Sequence, residues 1–274
     1  MLGNAVLRLF AASASFEAYG TVRSHAALAM LPETVRGNVI GGVDVENTDN
    51  MIEVLNRVRP DTVINCIGLV KQLAQADDPL QAIPINALLP HRLARLCALV
   101  DARFVHLSTD CVFSGAKGMY TESDPSDAYD LYGRSKFLGE VDYPHAITLR
   151  TSIIGHELDR NTSLIGWFLK QEGKVRGFDR AIFSGLPTVE VARVIRDFVI
   201  PHPELRGVYN LSADPINKFD LLTLVAEAYG KEIEIVRDSG LLIDRSLDST
   251  RFRNATGFAP LSWPQLVHVM CEFK

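Results

Sequence analysis

The stretch from His106 to Glu140, HLSTDCVFSGAKGMYTESDPSDAYDLYGRSKFLGE, sets the strongest limit on how this chain folds. It opens within a short apolar run, Arg103-Phe104-Val105-His106-Leu107, of the kind that forms a buried parallel strand. Ser108 and Thr109 then fall at the C-terminal end of that strand, where open α/β sheets bind their ligands. Tyr132 and Lys136, in YGRSK, stand one helical turn apart and share a face. A phenol ordinarily keeps its proton up to pH ~10. A fixed ammonium beside it eases the loss and return of that proton near neutrality, so Tyr132 is expected to act as a general acid.

Strand and helix signals alternate on either side. Strands are expected over Phe16 to Val22, Asn38 to Val43, Asp61 to Gly68, Ala146 to Arg150, Val208 to Ser212 and Glu232 to Val236. Helices are expected from about Thr48 to Arg59, with Asn47 or Thr48 as N-cap, Gln81 to Leu99, Asn161 to Glu172, Val189 to Ile200, Asn217 to Tyr229 and Trp263 to Phe273. Gly173 to Leu186 reads as a loop with one short strand. With 274 residues, 47% of them hydrophobic, the chain is long enough for a large domain or two unequal ones. The fold class is α/β: a doubly wound, Rossmann-like parallel sheet with a smaller, interleaved C-terminal substrate lobe.

A net charge of −5 argues against nucleic acid as the partner. Cys66, Cys97, Cys111 and Cys271 show no metal-ligand spacing, which suits a reduced intracellular protein with no metal. No apolar run approaches the ~18 residues of a membrane span. The expected location is the cytoplasm, with no membrane partner.

STDCVF, YGRSK and the later LRTS arrive in an order that resembles the extended short-chain dehydrogenase/reductase family, in its dTDP-4-dehydrorhamnose reductase branch. The resemblance covers nearly the whole chain. It implies a dinucleotide-binding domain over 1–155 plus 189–212 and a substrate lobe over 156–188 plus 213–274. The implied reaction is NADPH-dependent reduction of a nucleotide-linked 4-keto-(6-deoxy) sugar, NADH being possible, by an enzyme that can form a homodimer. In the family a first strand runs into a glycine motif, and Gly3 matches only its last glycine. The expectation is a sheet without its first strand, through a start codon placed too late or a truncated chain. A true short form that binds dinucleotide poorly or not at all is the alternative.

Carried onto this sequence residue by residue, the resemblance makes Thr109, Tyr132 and Lys136 catalytic, with Ser108 as a further donor. Lys136 is expected to lower the Tyr132 pKa and hold the nicotinamide ribose. Arg23 and Ser24, at the end of the second strand where an acidic residue would take a ribose 2′-hydroxyl, suit a 2′-phosphate and so favour NADPH. Asp44 and Val45 lie against the adenine in the family. Cys66, Ile67 and Gly68 form a strand end where backbone approaches a cofactor, Cys66 itself being inert packing. Thr151 and Ser152 match a turn along the nicotinamide. Asn86 either supports the catalytic lysine or accommodates a kink near Pro90, and His91 belongs to the helix surface.

For the substrate diphosphate the candidates are Lys174, Arg176, Arg180 and, preferred for its R-S-L-D context, Arg245, while Ser184 to Thr188 match a cleft-lining segment. Cys111 replaces a tyrosine that in the rhamnose enzymes reaches the sugar, which leaves the sugar open. Two further readings stand beside this one: an epimerase or dehydratase on the same fold, opposed by Asp110-Cys111 where dehydratases carry Asp-Glu, and a non-catalytic binding subunit.

Overall fold

The computed structural model describes residues 1–71, 74–158 and 162–274. Helix α1 (Leu2–Ala11) turns Leu2, Ala5, Val6, Leu7 and Phe10 inward, the spacing of a helix with one apolar face. Strand β1 (Gly20–Val22), a 3-10 turn (His25–Met30), the short helix α2 (Glu33–Arg36) and β2 (Val39–Gly41) follow, with β1 and β2 paired in parallel. α3 (Thr48–Val58) is capped by Asn47, whose side chain accepts from the Asp49 and Asn50 N–H groups. β3 (Thr62–Asn65) then leads to one long helix in three runs: α4 (Pro79–Ala82), a π turn (Ile83–Leu88) and α5 (Leu89–Leu99). The π turn answers to Pro90, which has no N–H to give the Asn86 carbonyl. Instead the Leu89 N–H bonds the Pro84 carbonyl, five residues back.

β4 (Arg103–Thr109), α6 (Leu131–Leu138) and β5 (Ala146–Thr151) form the centre of the molecule. After β6 (Ile153–Ile154) comes α7 (Leu164–Lys170); the expected helix start at Asn161 lies outside the described residues. β7 (Lys174–Phe178), β8 (Ala181–Phe183) and β9 (Leu186–Pro187) replace the expected loop. Alternation explains β7: Val175 and Gly177 face inward while Lys174 and Arg176 face solvent. α8 (Thr188–Val194) continues as a π turn to Val199, followed by β10 (Gly207–Asn210), β11 (Ile216–Asn217) and α9 (Lys218–Tyr229). β12 (Glu234–Asp238), β13 (Ile243–Asp244), α10 (Thr250–Thr256) and α11 (Trp263–Glu272) end the chain.

The doubly wound sheet is in two hydrogen-bonded pieces. The larger has the order β10-β5-β4-β3, all parallel, and the smaller is the β1-β2 pair. Residues 104–109 and 146–151 are all buried, as expected for strands covered on both faces. α1 splints the two pieces. Its Leu7 packs with Leu31 and Val35 beside β1 and β2, while Leu2, Val6 and Phe10 join Val105, Leu107 and Ile147 in the main core.

The second lobe is built on the sheet β11-β8-β13 and the pairs β12-β7 and β6-β9. Its Val175, Phe183, Leu221 and Val225 belong to the same core cluster as Val105 and Leu149, so the lobes share apolar packing. Among the described residues no helix is long and apolar enough to cross a membrane, and no group of three or more metal-ligating side chains is gathered.

Candidate active site

The candidate residues converge on the C-terminal end of β4. Thr109 caps a single 3-10 turn, Asp110–Val112: its Oγ1 accepts from the Cys111 N–H at 3.1 Å and donates to Asp110 Oδ1 at 3.1 Å. Two glycines let α6 close in on its neighbours. A Cβ on Gly133 would lie 2.2 Å from the Cys111 carbonyl oxygen, and one on Gly139, just past the helix, 2.0 Å from the Asn86 carbonyl oxygen. That second carbonyl is the one Pro90 cannot serve. Only glycine permits such backbone contact, and it brings Tyr132 to Thr109. Asp130 caps the helix, accepting from the Gly133 N–H at 2.7 Å and from Lys71 Nζ at 2.5 Å.

Burial pushes the Tyr132 phenol well above its usual value, Cys111 adds to the effect, and the Thr109 hydroxyl opposes it. The phenol is thus shifted upward by burial and not downward as expected from Lys136, whose Nζ donates to the Leu107 carbonyl, 2.7 Å away. Lys136 is itself brought down to about 8 by burial, with Glu140 pulling the other way. Near neutral pH the pair is thus a protonated phenol and a charged ammonium.

Ser108 stands apart from this pair. Its hydroxyl donates to Glu140 Oε1 at 2.8 Å. Asn86 is fully buried within the π turn and holds the loop after β3. Its Oδ1 accepts from the Leu69 N–H at 2.9 Å, and its Nδ2 donates to the Leu69 carbonyl and to Ser135 Oγ. Asn86 thus sits in the helix irregularity and ties it to the loop after β3 and to Ser135 of α6. His91 bonds Tyr143 and the Leu138 carbonyl, away from Tyr132.

On the cofactor side, the N-terminus of α1 meets the end of β3. A Cβ on Gly3 would be 3.5 Å from Cys66 Cβ, and the Cys66 thiol is pushed up to about 12 by burial. Asn65 Oδ1 accepts from the Ile67 N–H and so folds the turn toward Gly68. A Cβ on Gly68 would sit 3.9 Å from Lys136 Nζ. Arg23 and Ser24 follow β1 and are exposed, Ser24 capping the 3-10 turn, and Asp44 and Val45 follow β2, half-buried. Thr151 and Ser152 end β5, where the Ser152 carbonyl accepts from the Leu186 N–H. These positions fit a nicotinamide dinucleotide. Lys136 is a buried ammonium with one acceptor for three N–H groups, facing the glycine turn, and suits ribose hydroxyls. Arg23, with no ion pair among the described residues, suits a phosphate.

The candidate cations for a diphosphate take different places in the structure. Arg245 Nε donates to the Phe113 carbonyl at 2.8 Å, directly after the Thr109 turn, and its charge acts on Asp110 and Cys111. Arg176 instead pairs with Asp238 and is exposed on β7, and Lys174 pairs with Glu234. Neither acts on the Tyr132 neighbourhood, and Arg180 is exposed. Ser184 is buried and its Oγ accepts from the Leu247 N–H, which ties its segment to the one that carries Arg245.

Lys218, unremarked in the sequence, belongs to the site. It opens α9 directly after β11, and the line Asn217-Ile182-Asp244 across the three-stranded sheet places it near Arg245. Burial lowers its pKa, with Asp110 opposing, and it has no hydrogen bond or ion pair among the described residues. No motif marks it; only a strand followed at once by a capped helix pointed there. A cavity of about 240 Å³ lined by Met1, Arg8, His156 and Phe273 lies elsewhere and includes none of Thr109, Tyr132 and Lys136.

The model of the RmlD substrate binding domain family matches residues 1–238. The chain is 33% identical over 130 residues to a probable low-salt glycan biosynthesis reductase of Haloferax volcanii, covering 46% of this chain and 43% of that one. It is 28% identical over 188 residues to the dTDP-4-dehydrorhamnose reductase of Mycolicibacterium smegmatis, covering 66% and 58%. It thus spans about half the length of these curated relatives. A solved structure described as a hypothetical dTDP-4-dehydrorhamnose reductase from Sulfolobus tokodaii shares the fold with a TM-score of 0.75 and 24% identity, over 96% of this chain and 94% of that one. The dTDP-4-dehydrorhamnose reductase of Bacillus anthracis in complex with NADP does so with a TM-score of 0.75 and 19% identity, over 93% and 98%. Matched over most of its length by that family model, the chain belongs to the RmlD substrate binding domain family.

Proposed function

We propose that this chain reduces the ketone of a nucleotide-linked 4-keto-6-deoxy sugar with NADPH. The observation that carries the reading is the meeting of Thr109, Tyr132 and Lys136 at the C-terminal end of β4, with the phenol held protonated and the amine charged below pH about 8. NADPH, when bound, supplies a hydride to the carbonyl carbon. Tyr132 gives its proton to the carbonyl oxygen as negative charge develops there. The Thr109 hydroxyl, which otherwise donates to Asp110, turns to the same oxygen. The Lys136 charge stabilises the phenolate left behind, and its remaining N–H groups hold the nicotinamide ribose.

Arg245 and Lys218 supply the cations that a diphosphate requires. Arg23 and Ser24 favour a 2′-phosphate, hence NADPH. The names of the curated relatives support a sugar-nucleotide reductase, and the sugar itself stays open because Cys111 stands beside the reacting hydroxyls. Free Cys66, Cys97, Cys111 and Cys271 suit a reducing compartment, and we place the reaction in the cytoplasm. Asp110 is followed by Cys111 and not by a second carboxylate, which disfavours a dehydratase. The test is loss of nicotinamide absorbance when the protein is mixed with NADPH and dTDP-4-dehydro-6-deoxy sugars. Substrate-dependent oxidation is expected, and no oxidation with any 4-keto sugar nucleotide contradicts the reading.

A further inference from the structure

A buried ion pair lies directly behind the reacting groups, and the chemistry above does not use it. Glu140 and Arg150 have side chains only 5% and 4% exposed. Arg150 Nε donates to Glu140 Oε1 at 2.7 Å and its Nη2 to Oε2 at 2.6 Å, a two-pronged contact, and Ser108 also donates to Oε1. Ser108 and Arg150 are register partners across β4 and β5, each one residue before a functional position, Thr109 and Thr151. Glu140 follows Tyr132 and Lys136 at intervals of four residues, one residue beyond the Gly139 that closes on the Asn86 carbonyl. One carboxylate thus ties the end of α6 to the ends of two strands. Burying it without these partners would be prohibitive, so the arrangement holds all three segments in one geometry.

We propose that Glu140 is a positioning residue for the reaction: clamped by Arg150 and Ser108, it fixes α6 against β4 and β5 and keeps Lys136 in its charged form beside Tyr132. Among the described residues the charged and titratable groups around Lys136 are few. Tyr132 shares its helix, Glu140 follows just past that helix, His106 comes from β4, Arg150 from β5 and His91 from α5. Burial keeps His106 neutral, far below its usual value, with the Lys136 charge adding to this. Tyr132 stays protonated, and Arg150 is spent on Glu140. Glu140 is accordingly the anion that offsets the burial of Lys136, whose pKa stands at about 8. Its charge determines how far into the alkaline range the ammonium survives.

The inference rests on the reductase reading for its consequence, but its physical core is testable without substrate or nicotinamide. The protein is labelled with lysine carrying carbon-13 at the ε position, and the Lys136 resonance is assigned as the signal lost in Lys136→Arg and titrated with pH. Glu140→Gln is expected to lower the Lys136 midpoint by at least about one pH unit, the scale of a lost opposite charge nearby. The alkaline limb of kcat should fall in parallel, with KM for NADPH changing little. Because this single substitution leaves the Arg150 charge buried alone, the double variant Glu140→Gln/Arg150→Met provides a second, neutral background, and the same lowered midpoint is expected there. An unchanged midpoint in either folded variant overturns the inference while leaving the reductase reading intact. A lowered midpoint with an unmoved kcat limb overturns the link to the reaction. Failure of the reductase reading looks different: the wild type then oxidises no NADPH at any pH, whatever Lys136 does.

Discussion

Tyr132 and Lys136 behave as opposites under burial. Loss of solvent raises the phenol and lowers the amine, because each is driven toward its neutral form. The activity should therefore have an alkaline limb set by Lys136 and not by Tyr132. Below pH about 8 the amine is charged and the phenol protonated; above it the amine loses its proton first, and the rate falls. A kcat-pH profile for the wild type is expected to decline through this region. A profile flat to pH ~10, the usual phenol range, would assign no role to the Lys136 charge. Lys218→Ala should raise KM for the sugar nucleotide roughly tenfold to a hundredfold, the scale of a lost charge-assisted hydrogen bond, with kcat little changed. Steady-state kinetics separates the two. At this scale the sequence was legible where residues carry a spaced pattern, as in Thr109, Tyr132 and Lys136. It was not legible for Lys218, a single lysine brought in by the register of a small sheet. Arg176 is turned outward to Asp238 by strand alternation, a placement its position in the sequence does not announce.

Among the elements, α6 does the most with the fewest residues. Its two glycine contacts press it against the Cys111 and Asn86 carbonyls, and Asp130 and Glu140 hold its two ends. Gly133→Ala places a methyl carbon 2.2 Å from a backbone oxygen that cannot move without displacing the Thr109 turn. The variant is expected to lose about 1–3 kcal/mol of stability, as overpacked sites do. If it folds, kcat should fall about 10²-fold, the cost of a 1 Å misplacement of reacting groups. Thermal denaturation and turnover on the same preparation test both. The order of strands and helices could be read from apolar runs and caps such as Asn47. A kink near Pro90 could be read as well, but not its form as a π turn at Ile83–Leu88, because Gly139, which closes on the same Asn86 carbonyl, lies far away in the chain.

Over the whole molecule, the main core unites both lobes while the β1-β2 pair is held by a small cluster around Leu7, Leu31 and Val35. Stability should follow that difference. Backbone amides of β1 and β2 are expected to exchange with solvent deuterium faster than those of β4 and β5, whose residues beyond Arg103 are buried. Equal protection across all four strands would mean that the two sheet pieces open together. The doubly wound class was readable from the alternation of elements. The shared core was not, because Val175 and Leu221 reach Val105 only through tertiary packing.

In the proposed nicotinamide-dependent ketone reduction the Tyr132 hydroxyl donates the proton. The most direct measurement compares the wild type and Tyr132→Phe for reduction of a dTDP-4-dehydro-6-deoxy sugar in a single turnover with saturating NADPH. A change of one oxygen at a partly buried ring leaves the packing of α6 in place. The rate constant is expected to drop at least ~10²-fold, the scale of lost general acid catalysis, with NADPH binding retained. An unaltered rate would show that the proton comes from elsewhere and contradict the account.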